Sequence, residues 1–223
     1  MKLHFETVTP IMKKVLIDIM ENSLFQSFNL VGGSSLSLRL GHRKSVDIDL
    51  FTYAPYGSLD FSLFEDFFRQ KYPYYDCPDT TGLVGFGRSY YLGSSGDENV
   101  KVDVYYHEEM IDPCDVIDNI RFASINDVIA MKVDVISRGG RKKDFWDLHE
   151  LLEINSIENM MELHRQRYEW THDRHDILKK FIFFEVADLD PDPICLKGKY
   201  WELIKNDFFL KIQKMNGNTE KQN

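Results

Sequence analysis

The hydrophobic positions divide the chain into an N-terminal part with strands and helices and a C-terminal part that is mainly helical. Apolar residues recur at helical spacing over 10–21 and 59–72, whereas alternating apolar and polar residues predict strands over 47–52 and 99–106. From about residue 121 onward the periodicity is helical. We therefore predict an α+β fold with a helical C-terminal region.

The chain has 223 residues, which is enough for one or two domains with a substantial core. We place the boundary between the two parts at residue 120, so that 1–120 forms the strand-containing core and 121–213 forms a helical domain. The last segment, 214–223, is polar, and its composition predicts a disordered tail.

Two aspartates lie on one face of the predicted strand over 47–52. Strand side chains alternate, so Asp47 and Asp49 point to the same side while Ile48 and Leu50 point into a core. Two carboxylates held so close repel each other unless a cation lies between them, and Mg²⁺ or Mn²⁺ suits carboxylate and phosphate oxygens. The alternative is a solvated strand face, but the apolar neighbours favour a metal site.

A small, hydroxyl-bearing turn precedes this strand by about a dozen residues. In this turn, Gly32-Gly33-Ser34, the backbone N–H groups and a hydroxyl can approach a phosphate without an obstructing Cβ. If a helix begins there, its N-terminus adds a positive dipole. Gly33 and Ser34 are therefore predicted to bind nucleotide phosphates.

These residues also carry a resemblance. The string GGSSLSLRLGHRKSVDIDLF resembles the first motif of the AbiEii-type nucleotidyltransferases, a branch of the DNA polymerase β-like superfamily. The segments 101–104, 127–132 and 143–148 agree with its later motifs, and the likeness spans about residues 28 to 153. The resemblance implies a nucleotidyltransferase core with a mixed sheet flanked by helices, completed by the helical domain. It also implies a metal-dependent enzyme that moves an NMP from a nucleoside triphosphate to a hydroxyl acceptor.

The resemblance assigns roles to further residues. Asp103 would be a third metal-binding carboxylate if its strand pairs with 47–52, although a solvent-facing carboxylate or a surface pair with Lys101 is the alternative. Lys132 would contact phosphate rather than extend to solvent from an apolar helix. Asp147 would be an active-site acid rather than a partner of nearby basic residues, which leaves Asp103 and Asp147 as alternatives for the third key carboxylate. The predicted catalytic residues are Asp47, Asp49, Asp103, Lys132 and Asp147.

The formal net charge of −9 at pH 7 contrasts with the basic balance of most proteins that wrap nucleic acid. Local positive clusters nevertheless occur at 39–44 and 138–143, beside motifs expected at the site. From the first cluster we predict that Arg43 binds the nucleotide, with a solvated charged face as the alternative. His42 is expected either to orient the motif loop or to touch the substrate.

The predicted partners follow from the resemblance. The relatives act as toxins paired with an antitoxin, so the expected partners are a nucleoside triphosphate, an RNA acceptor such as a tRNA 3′ end, and a cognate antitoxin. Modification of a protein or small molecule, or nucleotide binding without turnover, are the alternatives. No apolar run approaches the length of a membrane span, no secretory signal is visible, and the three cysteines lack metal-ligand spacing. We therefore expect a cytoplasmic enzyme that does not bind a membrane.

Overall fold

The computed structural model describes residues 2–78 and 85–219, with side chains described as far as Met215. Its contacts divide the chain into two compact units. The first unit comprises Met1–Gly41 and Ser45–Ser124, and the second comprises His42–Lys44 together with the chain from Ile125 onward. The division after residue 124 lies four positions beyond the boundary that we placed at residue 120. The sequence analysis did not predict the assignment of residues 42–44 to the second unit.

Within the described residues the first unit contains one mixed sheet. Its strands are β1 (Asn29–Leu30), β2 (Asp47–Thr52), β3 (Tyr74–Asp76), β4 (Gly87–Gly93), β5 (Asn99–Tyr106), β6 (Asp115–Ile117) and β7 (Ile120–Phe122). Their order in the sheet is β3-β4-β5-β2-β1-β7-β6. The central strands β2 and β5 are parallel, and β5 is antiparallel to β4. Both central strands have the alternating burial that their sequences predict, so one face is apolar and the other polar.

The apolar face of this sheet packs in a core with residues of helices α1 (Pro10–Glu21) and α3 (Phe61–Lys71). The side chain of Thr9 accepts a hydrogen bond from the Met12 amide at the start of α1, and Pro10 occupies the first turn, which favours initiation there. The buried phenylalanines of α3 belong to this core, as their helical spacing predicts. A third helix, α2 (Gly32–Leu40), follows β1 directly.

The second unit is helical. Its α-helices in the described residues are α4 (Ile125–Ser137), α5 (Lys142–Leu151), α6 (Ile157–Arg167), α7 (Arg174–Lys180), α8 (Glu185–Asp188) and α9 (Trp201–Thr219). Helix α4 packs against α5, α6 and α7, and α5 packs against α9. Trp146 and Trp201 stack with ring centroids 6.4 Å apart, and the fully buried side chains of Arg167 and Asp127 form an ion pair at 2.7 Å.

The structure differs from the sequence prediction at several short elements. The strand β3 and the hairpin of β6 and β7 were not predicted, although Asp118 and Asn119 between the latter have the positive φ typical of a two-residue hairpin turn. Helix α9 continues to Thr219, where a disordered tail was predicted from residue 214. Ile212, two residues before the predicted start of that tail, is buried. The final part of that predicted tail, 220–223, lies outside the described residues.

None of the helices in the described part of the chain combines the length and the apolar character needed to cross a membrane.

Candidate active site

The polar face of the sheet carries the three predicted metal-binding carboxylates. In the parallel pairing of β2 with β5, Asp47 lies opposite Lys101 and Asp49 lies opposite Asp103. Directly paired residues of neighbouring strands point to the same face, so Asp103 stands beside the Asp47 and Asp49 pair. The pairing on which the assignment of Asp103 depended is therefore confirmed, and the first unit brings these carboxylates onto one half-buried surface.

Gly32 places the first turn of α2 against one of these carboxylates. Its φ is +67°, and a Cβ built on it would lie 2.3 Å from Oδ2 of Asp49. The Val31 amide donates to the Asp49 carbonyl at 2.9 Å, which fixes β1 beside β2 at this level. A side chain at position 32 would therefore be strained and would displace Asp49. The glycine turn is thus the N-terminus of a nine-residue helix that begins next to β2.

Ser34 is buried, and its hydroxyl contacts protein groups in the first unit. It lies 2.8 Å from the Ser45 hydroxyl and donates to the backbone carbonyl of Asp47. These contacts fix the start of β2 relative to α2. The structure therefore gives the Ser34 side chain a positioning role, and its contact with a phosphate stays a prediction, as does that of Gly33.

Both oxygens of Asp103 have partners. The Ser89 hydroxyl donates to Oδ1 at 2.5 Å, and the Lys101 ammonium donates to Oδ2 at 2.6 Å. Burial alone would lower the pKa of Lys101, but Asp103, Asp47 and Asp49 together raise it. The lysine is therefore the local counter-charge for all three carboxylates, and the surface pair that was the alternative for Asp103 is present.

Carboxylate oxygens on neighbouring strands are donors that suit Mg²⁺ or Mn²⁺. In the described part of the chain, however, no three acidic, histidine or cysteine side chains converge on one point that could hold a metal ion. On β5, the ammonium of Lys101 already contacts one carboxylate oxygen of Asp103. The donor set fits a divalent ion, provided that Lys101 leaves Asp103 when the ion binds.

The second unit brings together the other predicted residues in a buried network around Asp147. Arg43 contacts both carboxylate oxygens, through Nε at 2.6 Å and Nη2 at 2.7 Å, and the ammonium of Lys132 lies 2.7 Å from Oδ2. Lys132 also pairs with Asp144 at 2.6 Å, and the ring of His42 lies 2.8 Å from Oδ1 of Asp147. The Asp147 side chain is fully buried. This network holds two carboxylates, one ammonium and one guanidinium away from water.

The pKa values in this network follow from its charges. Burial would raise the pKa of Asp147, but Lys132 and Arg43, with the hydrogen bonds from His42 and Arg43, hold it well below its ordinary value. Burial would lower the pKa of Lys132, but Asp147 and Asp144 outweigh this and raise it. All these charges are therefore retained at neutral pH.

Residues 42–44 join the second unit through their backbone as well. The Lys44 amide donates to the Ile194 carbonyl at 2.9 Å, and the Leu196 amide donates to the His42 carbonyl at 2.9 Å. Arg43 and Cys195 form an antiparallel bridge. Since this segment immediately precedes Ser45 in the chain, the network around Asp147 holds the residues that lead to β2. Of the two roles expected for His42, orientation of the motif loop agrees with these contacts.

Some functional contacts were not found by sequence reasoning. Ser89 was not singled out, because its position opposite Asp103 depends on the register of β4 against β5. Asp144 lies in the first turn of α5 and was not among the predicted site residues. It does accept the Arg141 amide at 3.0 Å, but its ion pair with Lys132 depends on the packing of two helices. Arg39, expected in a positive cluster, is buried and donates to the Ala123 carbonyl at 2.9 Å.

Comparisons with known proteins give the chain a family. A family model described as nucleotidyl transferase AbiEii toxin, type IV TA system, matches residues 14–215. An uncharacterized protein of Aquifex aeolicus is 25% identical over 218 residues, which cover 90% of this chain and 94% of that protein.

Solved structures share the fold. MenT4, a nucleotidyltransferase toxin of Mycobacterium tuberculosis, has a TM-score of 0.57 at 15% identity, covering 91% of this chain and 83% of that one. JHP933 of Helicobacter pylori has a TM-score of 0.56 at 17% identity, covering 98% and 93%.

Substitution of Gly32 tests the contact between α2 and Asp49. We expect Gly32→Ala to lower the free energy of unfolding by about 3 kcal/mol, because positive φ and the clash both contribute. Gly57 is the matched control, since its φ is +79° and nothing lies within 4 Å of a Cβ built on it. Gly57→Ala should cost only about 1–2 kcal/mol. Equal losses in urea denaturation of the two variants would argue against the contact.

Substitution of Lys101 tests the competition for Asp103. We expect Lys101→Met to bind Mn²⁺ roughly threefold to tenfold more tightly at low ionic strength, because a positive charge leaves the carboxylates. Titration calorimetry measures this. The control is Lys14→Met, which removes the exposed pair of Lys14 with Asp18 at 2.9 Å on α1 and should leave the affinity unchanged. Unchanged affinity in Lys101→Met would contradict the competition.

The buried network predicts a dependence of stability on pH. The folded-state pKa of Asp147 lies below its ordinary 3.8, so its contribution is present above about pH 4 and is lost as pH falls through the folded-state value. We expect Asp147→Asn to cost about 3–5 kcal/mol at pH 7, because the buried Arg43 loses the carboxylate that contacts its Nε and Nη2, and the buried Lys132 loses its contact with Asp147 and keeps that with Asp144. The difference from the unsubstituted protein should shrink in acid, as urea denaturation at several pH values measures.

The control for that series is Asp192→Asn. Asp192 pairs with Lys142 at 2.9 Å but is largely exposed, so its loss should cost less than about 1 kcal/mol. A difference between the unsubstituted protein and Asp147→Asn that stayed constant down to pH 2 would contradict the assignment.

Proposed function

The chain belongs to the AbiEii family of nucleotidyltransferase toxins, and on this basis we propose that it transfers an NMP from a nucleoside triphosphate to a hydroxyl of RNA, with release of pyrophosphate and with the tRNA 3′ end as the acceptor. Membership of a type IV toxin–antitoxin family makes the chain an enzyme that acts on a nucleoside triphosphate, and it implies an antitoxin partner. The proposed reaction takes place in the cytoplasm, where both substrates are present. The observation that carries the proposal is the alignment of Asp49 with Asp103 beside the N-terminus of α2.

We propose that Asp47, Asp49 and Asp103 hold Mg²⁺ or Mn²⁺. A divalent ion bound there would neutralise charge on the triphosphate and lower the pKa of the acceptor hydroxyl. The carboxylates supply the negative oxygen ligands, and Ser89 orients Asp103 through its hydroxyl. Lys101 keeps their repulsion low before the substrate arrives.

The N-terminus of α2 is the proposed phosphate site. Gly32 lies against Asp49, so a phosphate on the amides of Gly33 and Ser34 would be next to the carboxylates. Phosphoryl transfer needs positioning and charge neutralisation more than covalent chemistry from the protein. Contiguous phosphate and carboxylate sites satisfy this requirement.

We propose Asp103 rather than Asp147 as the third key carboxylate. Asp103 shares the strand face with Asp49, and only one of its oxygens is held by a cation. Both oxygens of Asp147 are held by Arg43, and Lys132 contacts it as well. These contacts support a positioning role for the three buried residues, which would hold the chain that leads into the metal strand. Direct phosphate contact by Lys132 or Arg43 would first require breaking these ion pairs.

A second candidate acceptor is a hydroxyl on a protein or small molecule. The net charge of −9 supports it, because RNA binding favours an excess of positive charge. Arg39 and Arg43 are buried and do not form an exposed basic surface. This also favours an acceptor other than RNA. The same transfer assay separates the two acceptors.

We expect the purified protein to transfer label from one or more α-³²P-labelled nucleoside triphosphates to total bacterial RNA in the presence of Mg²⁺ or Mn²⁺. Asp47→Asn and Asp49→Asn should each lower the rate by about a thousandfold or more, because a metal ligand supplies several kcal/mol to the transition state. Scintillation counting of RNA separated on denaturing gels measures the transfer.

The control variant is Asp76→Asn, which removes an exposed carboxylate from β3 of the same sheet and should retain the rate. Label on protein rather than RNA would favour the second acceptor. Nucleotide binding without any transfer, to any of these acceptors, would contradict the proposed function.

A further inference from the structure

Aromatic side chains continue the polar face of the sheet beyond the carboxylates. Alternation along β2 and β5 puts Phe51 on the face of Asp49 and Tyr105 on the face of Asp103. Phe51 lies opposite Tyr105 in the parallel register, one step after the pair of Asp49 and Asp103. Both side chains are half-buried, whereas the core-facing residues that precede them on the two strands, Leu50 and Val104, are fully buried.

The rings of these residues are held in place. The ring of His107, which follows β5, stacks on Phe51 with centroids 4.9 Å apart and planes 21° apart. The Tyr105 hydroxyl lies 3.2 Å from that of Ser89, which itself donates to Asp103. Gly87 lies opposite Tyr105 on β4, and a Cβ built on it would come within 2.6 Å of the Tyr105 ring. The glycine thus provides the space that the ring occupies.

The strand order decides which substrate these rings would meet. The phosphate site at Gly32 lies on the β1 side of β2, whereas Asp103 and Tyr105 lie on β5 at its other side. If phosphates of the donor nucleotide lie at Gly33, the third carboxylate and the aromatic side chains face the acceptor. Two residues along a strand span about 7 Å, a distance comparable with that between the sugar hydroxyl of a nucleotide and the ring of its base.

We propose that Phe51, Tyr105 and His107 form an acceptor subsite, on which the base of the terminal nucleotide of a single-stranded RNA stacks while its hydroxyl lies at Asp103. This inference rests on the proposed function and names the part of the acceptor that is recognised. Stacking on aromatic faces is how proteins bind unpaired bases with little sequence preference. The acceptor subsite therefore selects an unpaired end over a base-paired one.

Aromatic residues are also common in strands because they pack well on a pleated surface. The two roles differ in their consequences. If Phe51 and Tyr105 only pack, replacing them with leucine changes stability but affects both substrates alike. If they stack on a base, the same substitutions weaken binding of an RNA that carries this base and leave the donor nucleotide unaffected.

The test uses fluorescence anisotropy with a short, 5′-fluorescein-labelled single-stranded RNA, in EDTA so that no metal contributes. A second probe has the same sequence with an abasic 3′-terminal nucleotide. We expect Phe51→Leu and Tyr105→Leu to bind the complete probe about fivefold or more weakly than the unsubstituted protein, and the abasic probe equally well. Tyr105→Phe retains the ring and should restore the affinity lost in Tyr105→Leu.

Tyr74→Leu is the matched control, because Tyr74 is a half-buried aromatic residue on the outer strand β3 of the same sheet. Thermal unfolding of each variant identifies losses that come from misfolding. In the transfer assay we expect the KM for RNA to rise in Phe51→Leu and the KM for the nucleoside triphosphate to stay unchanged.

The outcomes separate the acceptor subsite from the proposed function. If the unsubstituted protein transfers label to RNA but Phe51→Leu and Tyr105→Leu bind both probes like the unsubstituted protein, the proposed acceptor subsite is wrong. The proposed function is then still supported by the transfer. The same conclusion follows if the KM for the nucleoside triphosphate rises instead of that for RNA. If the unsubstituted protein neither binds the complete probe nor transfers label to RNA, both the proposed RNA acceptor and the proposed acceptor subsite are wrong.

Discussion

The repulsion among Asp47, Asp49 and Asp103 is the constraint on which the first unit depends. The parallel register of β2 and β5 brings these carboxylates together, and a slip of one residue would bury them and expose the apolar face. The core under the sheet therefore fixes the register, and the register concentrates the negative charge. Lys101 offsets part of it by pairing with Asp103. A divalent ion at the proposed site would therefore compete with a charge that the chain itself supplies.

The second unit compensates its negative charge differently. Asp147 and Asp144 are shielded from water, and Lys132 and Arg43 neutralise them through short contacts. Each charge is buried, so the loss of one partner leaves the others uncompensated. Arg43 belongs to the segment 42–44, which these contacts hold and which immediately precedes Ser45 in the chain. Loss of activity on substitution of Lys132 would by itself not distinguish a phosphate contact from this positioning role. The free energy of unfolding and its dependence on pH distinguish the two roles.

How much could be predicted from the sequence depended on the range of the interactions. Alternation and helical periodicity located β2, β5 and α1 at the observed bounds, because burial of one face determines them locally. The third carboxylate could be named only on the condition that its strand pairs with β2. The β6–β7 hairpin was missed because its strands have three residues each and give little alternation. The partners of Lys132 could not be predicted, since a lysine on an apolar helix shows neither the facing helix nor its carboxylates.

The strand order gives the proposed reaction a direction. Phosphoryl transfer places the attacking and leaving oxygens roughly in line through the phosphorus, so the acceptor hydroxyl and the leaving pyrophosphate lie on opposite sides of that phosphorus. Strand β2, with its two carboxylates, lies between β1 and β5. The helix N-terminus follows β1, and the third carboxylate and the aromatic rings lie on or directly after β5. A triphosphate bound on the β1 side of β2 leaves the β5 side for the acceptor hydroxyl. The aromatic side chains on and directly after β5 are then placed to recognise the nucleotide that carries this hydroxyl.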